Sequence, residues 1–119
     1  MLVEVKEDSG SDANWISAGV AAKLAVRPLA VGLHKEFVCP TGTSYVPSSK
    51  VKISLIGATD KVPVNDFFIA PDNFPFSGIV VGKPFIREYG HPHKIFPEKE
   101  ADEFLLMMQK QPTVGVTVP

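Results

Sequence analysis

The window EYGHPHKIFPEKE, residues 88–100, groups more side chains capable of acid–base or metal chemistry than any other part of the chain. In an extended segment residues i and i+2 point the same way, so His91 and His93 could face one metal ion. Glu88 or His34 would then be a further ligand, although only the histidine pair is supported by its spacing. The glycine and proline of the window indicate instead a rigid turn with the imidazoles at the surface. We therefore expect no metal and no cofactor, and a metal-dependent enzyme using His91 and His93 is our third hypothesis.

Nucleophilic side chains are present but lack the sequence context of a catalytic site. Cys39, the single cysteine, precedes a proline at the end of an apolar stretch, where a buried and inert thiol is the usual case. Ser44, Ser48 and Ser49 lie in TSYVPSSK, which has no nucleophile-elbow pattern and no phosphate-binding glycine-lysine arrangement. Because no set of reactive residues converges, we predict that the protein is not an enzyme.

Composition and charge argue against several classes of partner. The chain has 119 residues, with 12 basic and 13 acidic side chains and a formal charge of -1. Evenly mixed charge gives no electrostatic footprint for nucleic acid or anionic lipid, so we predict no nucleic-acid and no membrane partner. The most apolar segment, residues 15–33, is interrupted by charges and a proline, and the acidic N-terminus does not resemble a secretory signal. We expect a virion or cytoplasmic location, which agrees with the single cysteine.

The stretch NDFFIAPDNFPFSG, residues 65–78, is unusually rich in aromatic side chains for a connecting segment. It either folds under a sheet as a satellite core or forms a surface that binds another chain. Its negative local charge disfavours stacking on nucleic acid. We predict a partner-binding surface made by its four phenylalanines, Phe67, Phe68, Phe74 and Phe76.

The distribution of prolines and glycines predicts the fold class. Eleven prolines and nine glycines are spread along the chain, which is typical of many short strands joined by turns. The chain length suits one core and one domain. We predict a mainly β (α+β) fold, a small β-sandwich or barrel with one C-terminal helix and an extended N-terminal arm. The arm is placed at residues 1–14 and the β-rich domain at 15–119, because the polar stretch EDSGSDAN indicates a loop or flexible arm.

Alternation and turn residues predict the individual elements. Residues 49–57, SKVKISLIG, alternate as a strand with one apolar face. Residues 61–70 contain a proline, which predicts an edge strand or a bulge. Residues 77–89, SGIVVGKPFIREY, are predicted as a further apolar strand with a break near the glycine and proline. The segment around Lys23 is ambiguous, and we predict helix before this residue and strand after it.

The C-terminal region predicts a helix followed by a strand. Residues 97–110 begin with Pro97 in a favoured first-turn position, followed by acidic residues, and carry an apolar stripe at helical spacing. The tail TVGVTVP, residues 113–119, alternates with period two. A strand there must pair with its own sheet or with a neighbouring chain.

These features favour a structural or assembly subunit of a larger complex. The expected partner is protein, in a homo- or hetero-oligomer, because extended arms and terminal strands satisfy their backbone groups by pairing. A virion component such as a capsid decoration, cement or tail-associated protein is an example of this class. The second hypothesis is a monomeric β-domain that binds a peptide or small ligand through the phenylalanine-rich loop. An oligomer that depends on residues 1–14 favours the first hypothesis, and a monomer with a phenylalanine-lined groove favours the second.

Overall fold

A computed structural model describes residues 2–25, 27–31, 37–38, 44–47, 49–57, 61–71, 74, 76–96 and 113–118. Within these residues the strands are β1 (Leu2–Glu7), β2 (Trp15–Ser17), β3 (Leu29–Ala30), β4 (Phe37–Val38), β5 (Ser44–Tyr45), β6 (Ser49–Ile56), β7 (Asn65–Ala70), β8 (Ile79–Val81) and β9 (Thr113–Thr117). The described helices are α1 (Ala18–Lys23), α2 (Lys83–Tyr89) and α3 (Pro92–Ile95).

Six of the described strands close into a barrel. Their order is β6-β7-β2-β8-β1-β9, and β9 pairs back onto β6. The β1–β8 and β7–β2 pairs are parallel, and the other four pairs are antiparallel. Strand β3 adds to the N-terminal part of β6, and β4 and β5 form a separate two-stranded ladder. The predicted mainly β fold is therefore confirmed, and of the two predicted architectures, sandwich and barrel, the structure has the barrel.

The barrel has internal two-fold pseudo-symmetry. One axis that passes through the pairs Trp15–Val80 and Leu55–Val116 exchanges β1 with β7, β2 with β8, and β6 with β9. It converts the parallel β1–β8 register into the parallel β7–β2 register, and it matches the starts of α1 and α2. A feature in one half of the molecule therefore has a structural counterpart in the other half.

The barrel interior is filled by the apolar side chains of alternating strand positions. Because successive side chains in a strand point to opposite faces, each strand contributes every second residue to the core. Full burial of one such side chain contributes about 1.5–3 kcal/mol. Phe85 of α2 and Phe96 after α3 are also buried in this core. The buried strand residues are Val3, Val5, Ile16, Val51, Ile53, Leu55, Phe67, Ile79, Val81 and Val114.

Both ends of the described chain are barrel strands. Strand β1 pairs with β8 on one side and with β9 on the other, so residues 2–7 do not extend from the domain as an arm. Residues 8–14 connect β1 to β2 across the start of α2. Strand β9 pairs within the same chain, with β1 and β6. The backbone groups of β1 and β9, for which the sequence predicted no pairing partner, therefore pair within one copy.

Two predicted strands are corrected by the structure. Strand β7 lies between β6 and β2 rather than at an edge, because Pro63 precedes the strand and removes no ladder donor. The strand predicted for residues 77–89 stops at Val81 and gives way to helix α2. Gly82 is the N-cap of α2, and Pro84 lies in the first turn, where its missing N–H is not required. The helix predicted for residues 97–110 lies outside the described residues.

Candidate binding cleft

An aromatic cluster covers the outer face of the barrel at β2. Trp15, at the centre of the cluster, is only 3% exposed, and it pairs with Phe68 of β7 and with Val80 of β8. The ring centroids of Trp15 and Phe68 are 5.6 Å apart. The Trp15 ring is stacked on Phe74 at 5.5 Å, and Tyr45 lies edge-on to Phe74 at 5.3 Å. The cluster is therefore a second, smaller core outside the barrel.

The polar edge of Trp15 is tied to the β1–β2 connection. Its indole N–H donates to Ser11 Oγ at 3.3 Å, and the same hydroxyl donates to the carbonyl of Ala13 at 2.7 Å. These bonds satisfy the polar edge of a side chain whose remaining surface is packed against rings. The cluster is thereby tied to the β1–β2 connection.

A cleft opens beside this cluster, at the C-terminal ends of β2 and β7. Its volume is about 290 Å³. One wall is the start of α1, and the other is the connection between β7 and β8. The lining residues are Ser17, Ala18, Gly19, Pro71, Phe74, Phe76 and Ser77.

The cleft combines half-buried rings with small uncharged residues. Phe74 and Phe76 are intermediate in exposure, so part of each ring is accessible. Ser17 Oγ accepts the N–H of Gly78 at 3.1 Å, and Ser17 N–H donates to the carbonyl of Gly78 at 2.9 Å. These two bonds join the end of β2 to the β7–β8 connection. No ionisable side chain is present among its described lining residues.

Gly19 contributes no side chain to the wall of the cleft that α1 forms. A Cβ atom built at this position meets no atom within 4 Å. A larger side chain there would project into open space rather than into the protein. Gly19 is therefore a position where the cleft can be narrowed without disturbing the core.

The start of α2, which corresponds by pseudo-symmetry to the start of α1, packs against the β1–β2 connection. At the start of α2, the N–H of Lys83 donates to the carbonyl of Ser11 at 2.8 Å, and the N–H of Gly82 donates to Asn14 Oδ1 at 3.0 Å. A Cβ atom at Gly82 would lie 2.5 Å from the carbonyl oxygens of both Ser11 and Ala13. The β1–β2 connection therefore lies directly on the start of α2, as Gly78 of the β7–β8 connection lies on Ser17 at the start of α1.

The four predicted partner-binding phenylalanines are divided between the two cores. Phe67 is 0% exposed and points into the barrel, so it does not reach the surface. Phe68, Phe74 and Phe76 are half-buried and pack against the outer cluster. Neighbouring Phe67 and Phe68 separate because they occupy opposite faces of β7. The structure therefore brings three of the four together, and two of these line the cleft.

The histidine window folds as a helix start. His91 is the N-cap of α3, and its Nδ1 contacts Glu7 Oε1 at the end of β1. The rings of His91 and His93 are 5.7 Å apart and both residues retain solvent exposure. Among the described residues, no group of three or more His, Cys, Asp or Glu side chains could hold a metal ion. Glu88 is exposed on α2, and His34 lies outside the described residues.

A surface ion-pair cluster lies on the β6–β7 pair. Asp66 forms ion pairs with two lysines: its Oδ2 lies 3.0 Å from Lys50 Nζ, and its Oδ1 lies 3.2 Å from Lys52 Nζ. Partial burial raises the pKa of Asp66, but the hydrogen bonds and charges of the two lysines outweigh this effect. The net pKa of this carboxyl therefore lies below its ordinary value. Asp66 thus forms surface ion pairs with both lysines.

Of the side chains considered as nucleophiles and not predicted to be catalytic, Ser44 is exposed on β5 and Ser49 is half-buried at the start of β6. Cys39 and Ser48 lie outside the described residues. Sequence analysis missed Trp15 and Tyr45 of the aromatic cluster, and Ser17 and Gly19 among the residues that line the cleft. Trp15, Ser17 and Gly19 all lie in the stretch WISAG, where the single tryptophan is followed by small residues, and this pattern could have indicated them.

Comparison with protein-family models, with curated proteins and with solved structures finds no match to this chain. No helix among the described residues has the length and hydropathy needed to span a bilayer. The function is therefore argued from the cleft itself.

Proposed function

We propose that this protein is a non-catalytic binding domain that takes an apolar segment of a partner protein in the cleft between α1 and the β7–β8 connection. The observation that carries this proposal is the pair of half-buried rings, Phe74 and Phe76, that line an open cleft beside the packed aromatic cluster. Within this cluster Tyr45 packs against both Trp15 and Phe74. A preformed cleft that combines aromatic rings with polar groups can bind an apolar side chain and fix its orientation.

The size of the cleft limits its occupant. At about 290 Å³ it lies at the lower end of the roughly 300–1,000 Å³ that small-molecule sites occupy. A cleft of this size suits one or two side chains rather than a nucleotide-sized cofactor. Burial of one aliphatic or aromatic anchor contributes about 1.5–3 kcal/mol. We therefore expect modest affinity from this anchor alone.

A displayed library of random peptides tests the proposal. The library is selected on the wild-type protein, and each enriched peptide is synthesised and titrated against variants. Gly19→Leu adds a bulky side chain to the wall of the cleft, and its Cβ atom meets no atom within 4 Å; we expect it to weaken binding about tenfold or more. Ala22→Leu is the matched control, because Ala22 is exposed on the same helix and does not line the cleft.

The outcome separates a specific cleft from a merely sticky surface. Peptides that bind wild type and Ala22→Leu equally well and lose affinity for Gly19→Leu support the proposal. Peptides whose affinity is the same for all three proteins would refute it. Circular dichroism and thermal unfolding check that Gly19→Leu remains folded.

An assembly subunit, such as a virion component, is the second candidate function. The observation that favours it is β3, a short exposed strand that pairs with β6 on one side. Leu29 of this strand is 38% exposed, and an accessible strand edge is a surface on which another chain can add a strand. The first and last strands no longer argue for assembly, because β1 and β9 pair within one copy and not with a neighbouring chain.

Sedimentation velocity over a wide range of protein concentration tests this second candidate. An assembly that forms through β3 should dissociate in Ala30→Pro, because proline cannot donate to an added strand. Ala30→Ser is the control, because it changes the same position and keeps the backbone N–H. A monomer at every concentration would remove self-assembly from consideration.

A further inference from the structure

Strand β3 is one end of the described seven-stranded sheet. It pairs with β6, with Leu29 opposite Lys50, and none of the described strands pairs with its other edge. Residues 27–30 are all exposed to solvent. The outer edge of β3 therefore offers main-chain donors and acceptors to an added strand, which is a common mode of peptide recognition.

The strand register places β3 beside two lysines on the outer face of the barrel. Val51 and Ile53 of β6 are buried in the core, so Lys50 and Lys52 point outward. Residues directly opposite each other on paired strands share a face, so Leu29 lies on this outer face beside Lys50. The apolar side chain at the edge of the sheet therefore has a basic neighbour.

The charge at this edge is positive. Asp66 of β7 forms ion pairs with both Lys50 and Lys52 and offsets one of their two charges. Arg27 is joined to β3 by a proline, which favours extended backbone at the preceding residue, so Arg27 points to the same face as Leu29. Arg27 takes part in none of the ion pairs among the described residues. Basic side chains therefore outnumber acidic ones on the described part of this face.

This excess of positive charge disfavours a second copy of the chain at the edge of β3. Two β3 strands paired edge to edge would bring the basic residues of both copies to one seam, and like charges at neighbouring positions across paired strands are destabilising. A strand that carries carboxylates on the face of its apolar contact residue has the complementary charge. The charge thus favours a different, acidic chain as the occupant.

From these observations we infer that β3 takes up an extended acidic segment of a partner protein as an additional strand, with an apolar residue beside Leu29 and an Asp or Glu two positions away, facing Arg27. This inference rests on the second candidate function and specifies the chemistry of its partner. The main-chain hydrogen bonds provide the attachment, and the acidic side chain provides the preference for this class of partner.

A cyclised β-hairpin peptide is the probe that tests this inference. Its outer strand reads Thr-Glu-Thr-Val-Thr-Glu-Thr, so the valine and both glutamates share one face, and either strand direction places a glutamate beside Arg27. The preformed hairpin reduces the cost of ordering the strand. Three forms, with Glu, Gln or Lys at the two glutamate positions, are titrated into isotope-labelled protein, and the chemical-shift changes are recorded by NMR.

The three forms should differ in affinity at β3. We expect chemical-shift changes centred on Leu29 and Ala30, and an affinity for the Glu form about two- to fivefold above that for the Gln form, typical of exposed ion pairs. The Lys form should bind most weakly. Arg27→Glu should reverse this order, whereas Lys61→Glu should retain it. Lys61 is the matched control, because it is exposed and bridged to Ile56, at the end of β6 away from β3.

A fourth form, in which the outward N–H groups of the outer strand are methylated, distinguishes strand addition from side-chain contact alone. It should produce no shift changes at β3, and changes equal to those of the Glu form would overturn the inference. Equal affinity of the Glu, Gln and Lys forms at β3 would also overturn it and leave assembly through β3 standing. Absence of shift changes at β3 with every form would overturn both, whereas the proposed cleft is tested independently by Gly19→Leu.

Discussion

Substitution of Gly82 by alanine tests how tightly the β1–β2 connection closes on α2. A Cβ atom there would lie 2.5 Å from two carbonyl oxygens, those of Ser11 and Ala13. Both oxygens belong to the backbone, so relief of the overlap must move a connection that accepts the Lys83 N–H. Overpacking typically costs about 1–3 kcal/mol, and we expect Gly82→Ala at the upper end of this range. The backbone at Gly82 has a negative φ, so the effect is steric rather than conformational.

Gly19→Ala is the matched control for this substitution. Its Cβ atom would meet nothing within 4 Å, and alanine is favoured over glycine in a helix by up to about 1 kcal/mol. We therefore expect Gly19→Ala to be neutral or stabilising. The two variants differ from wild type by the same single methyl group, so a comparison of their unfolding free energies isolates the environment of each glycine.

Urea unfolding followed by circular dichroism measures both free energies. A loss of about 3 kcal/mol for Gly82→Ala corresponds to a fall in Tm of roughly 10 °C or more for a domain of this size. A Gly82→Ala protein as stable as wild type would refute the close packing of Ser11–Asn14 on α2.

Three further predictions concern the barrel. Phe67→Ala should cost about 3–5 kcal/mol in urea unfolding and Phe68→Ala clearly less, because only Phe67 is fully buried; equal losses would contradict the assignment of the two faces. Asp66→Asn should lower stability by about 0.2–1 kcal/mol near neutral pH. Because the pKa of Asp66 is lowered in the folded state, this difference should be complete above the ordinary value of 3.8 and disappear as the pH falls through the folded-state pKa; a difference that grows on acidification would contradict the ion pairs. Deletion of residues 1–7 should abolish the cooperative thermal transition, because β1 pairs with two neighbours, and a truncated chain that unfolds like wild type would contradict the closed barrel.

The sequence predicted the elements whose side chains alternate most regularly. Strand β6 follows the alternation of SKVKISLIG, and β9 follows that of TVGVTV. The fold class followed from the spacing of prolines and glycines along the chain. Barrel closure was not predictable, because the β6–β9 and β1–β8 pairs join segments far apart in the sequence, and alternation carries no information about partners.

Helix α2 was missed because its apolar residues suit a strand and a helix equally well. Gly82 as N-cap and Pro84 in the first turn were the available indication of a helix start. The aromatic cluster was predicted only in part, since Trp15 and Tyr45 come from strands distant in sequence from the phenylalanine-rich stretch. Period-two geometry alone would have separated Phe67 from Phe68.

The antiparallel pairing of β1 with β9 brings the first and last described strands side by side, with Leu2 opposite Gly115. By pseudo-symmetry, a covalent join from β9 to β1 would follow the same route as the existing connection from β6 to β7. Circular permutation is therefore compatible with this architecture, with new termini opened between Ile56 and Asn65. Such a rearranged chain would keep every barrel pair and leave the cleft, at the other end of β7, untouched.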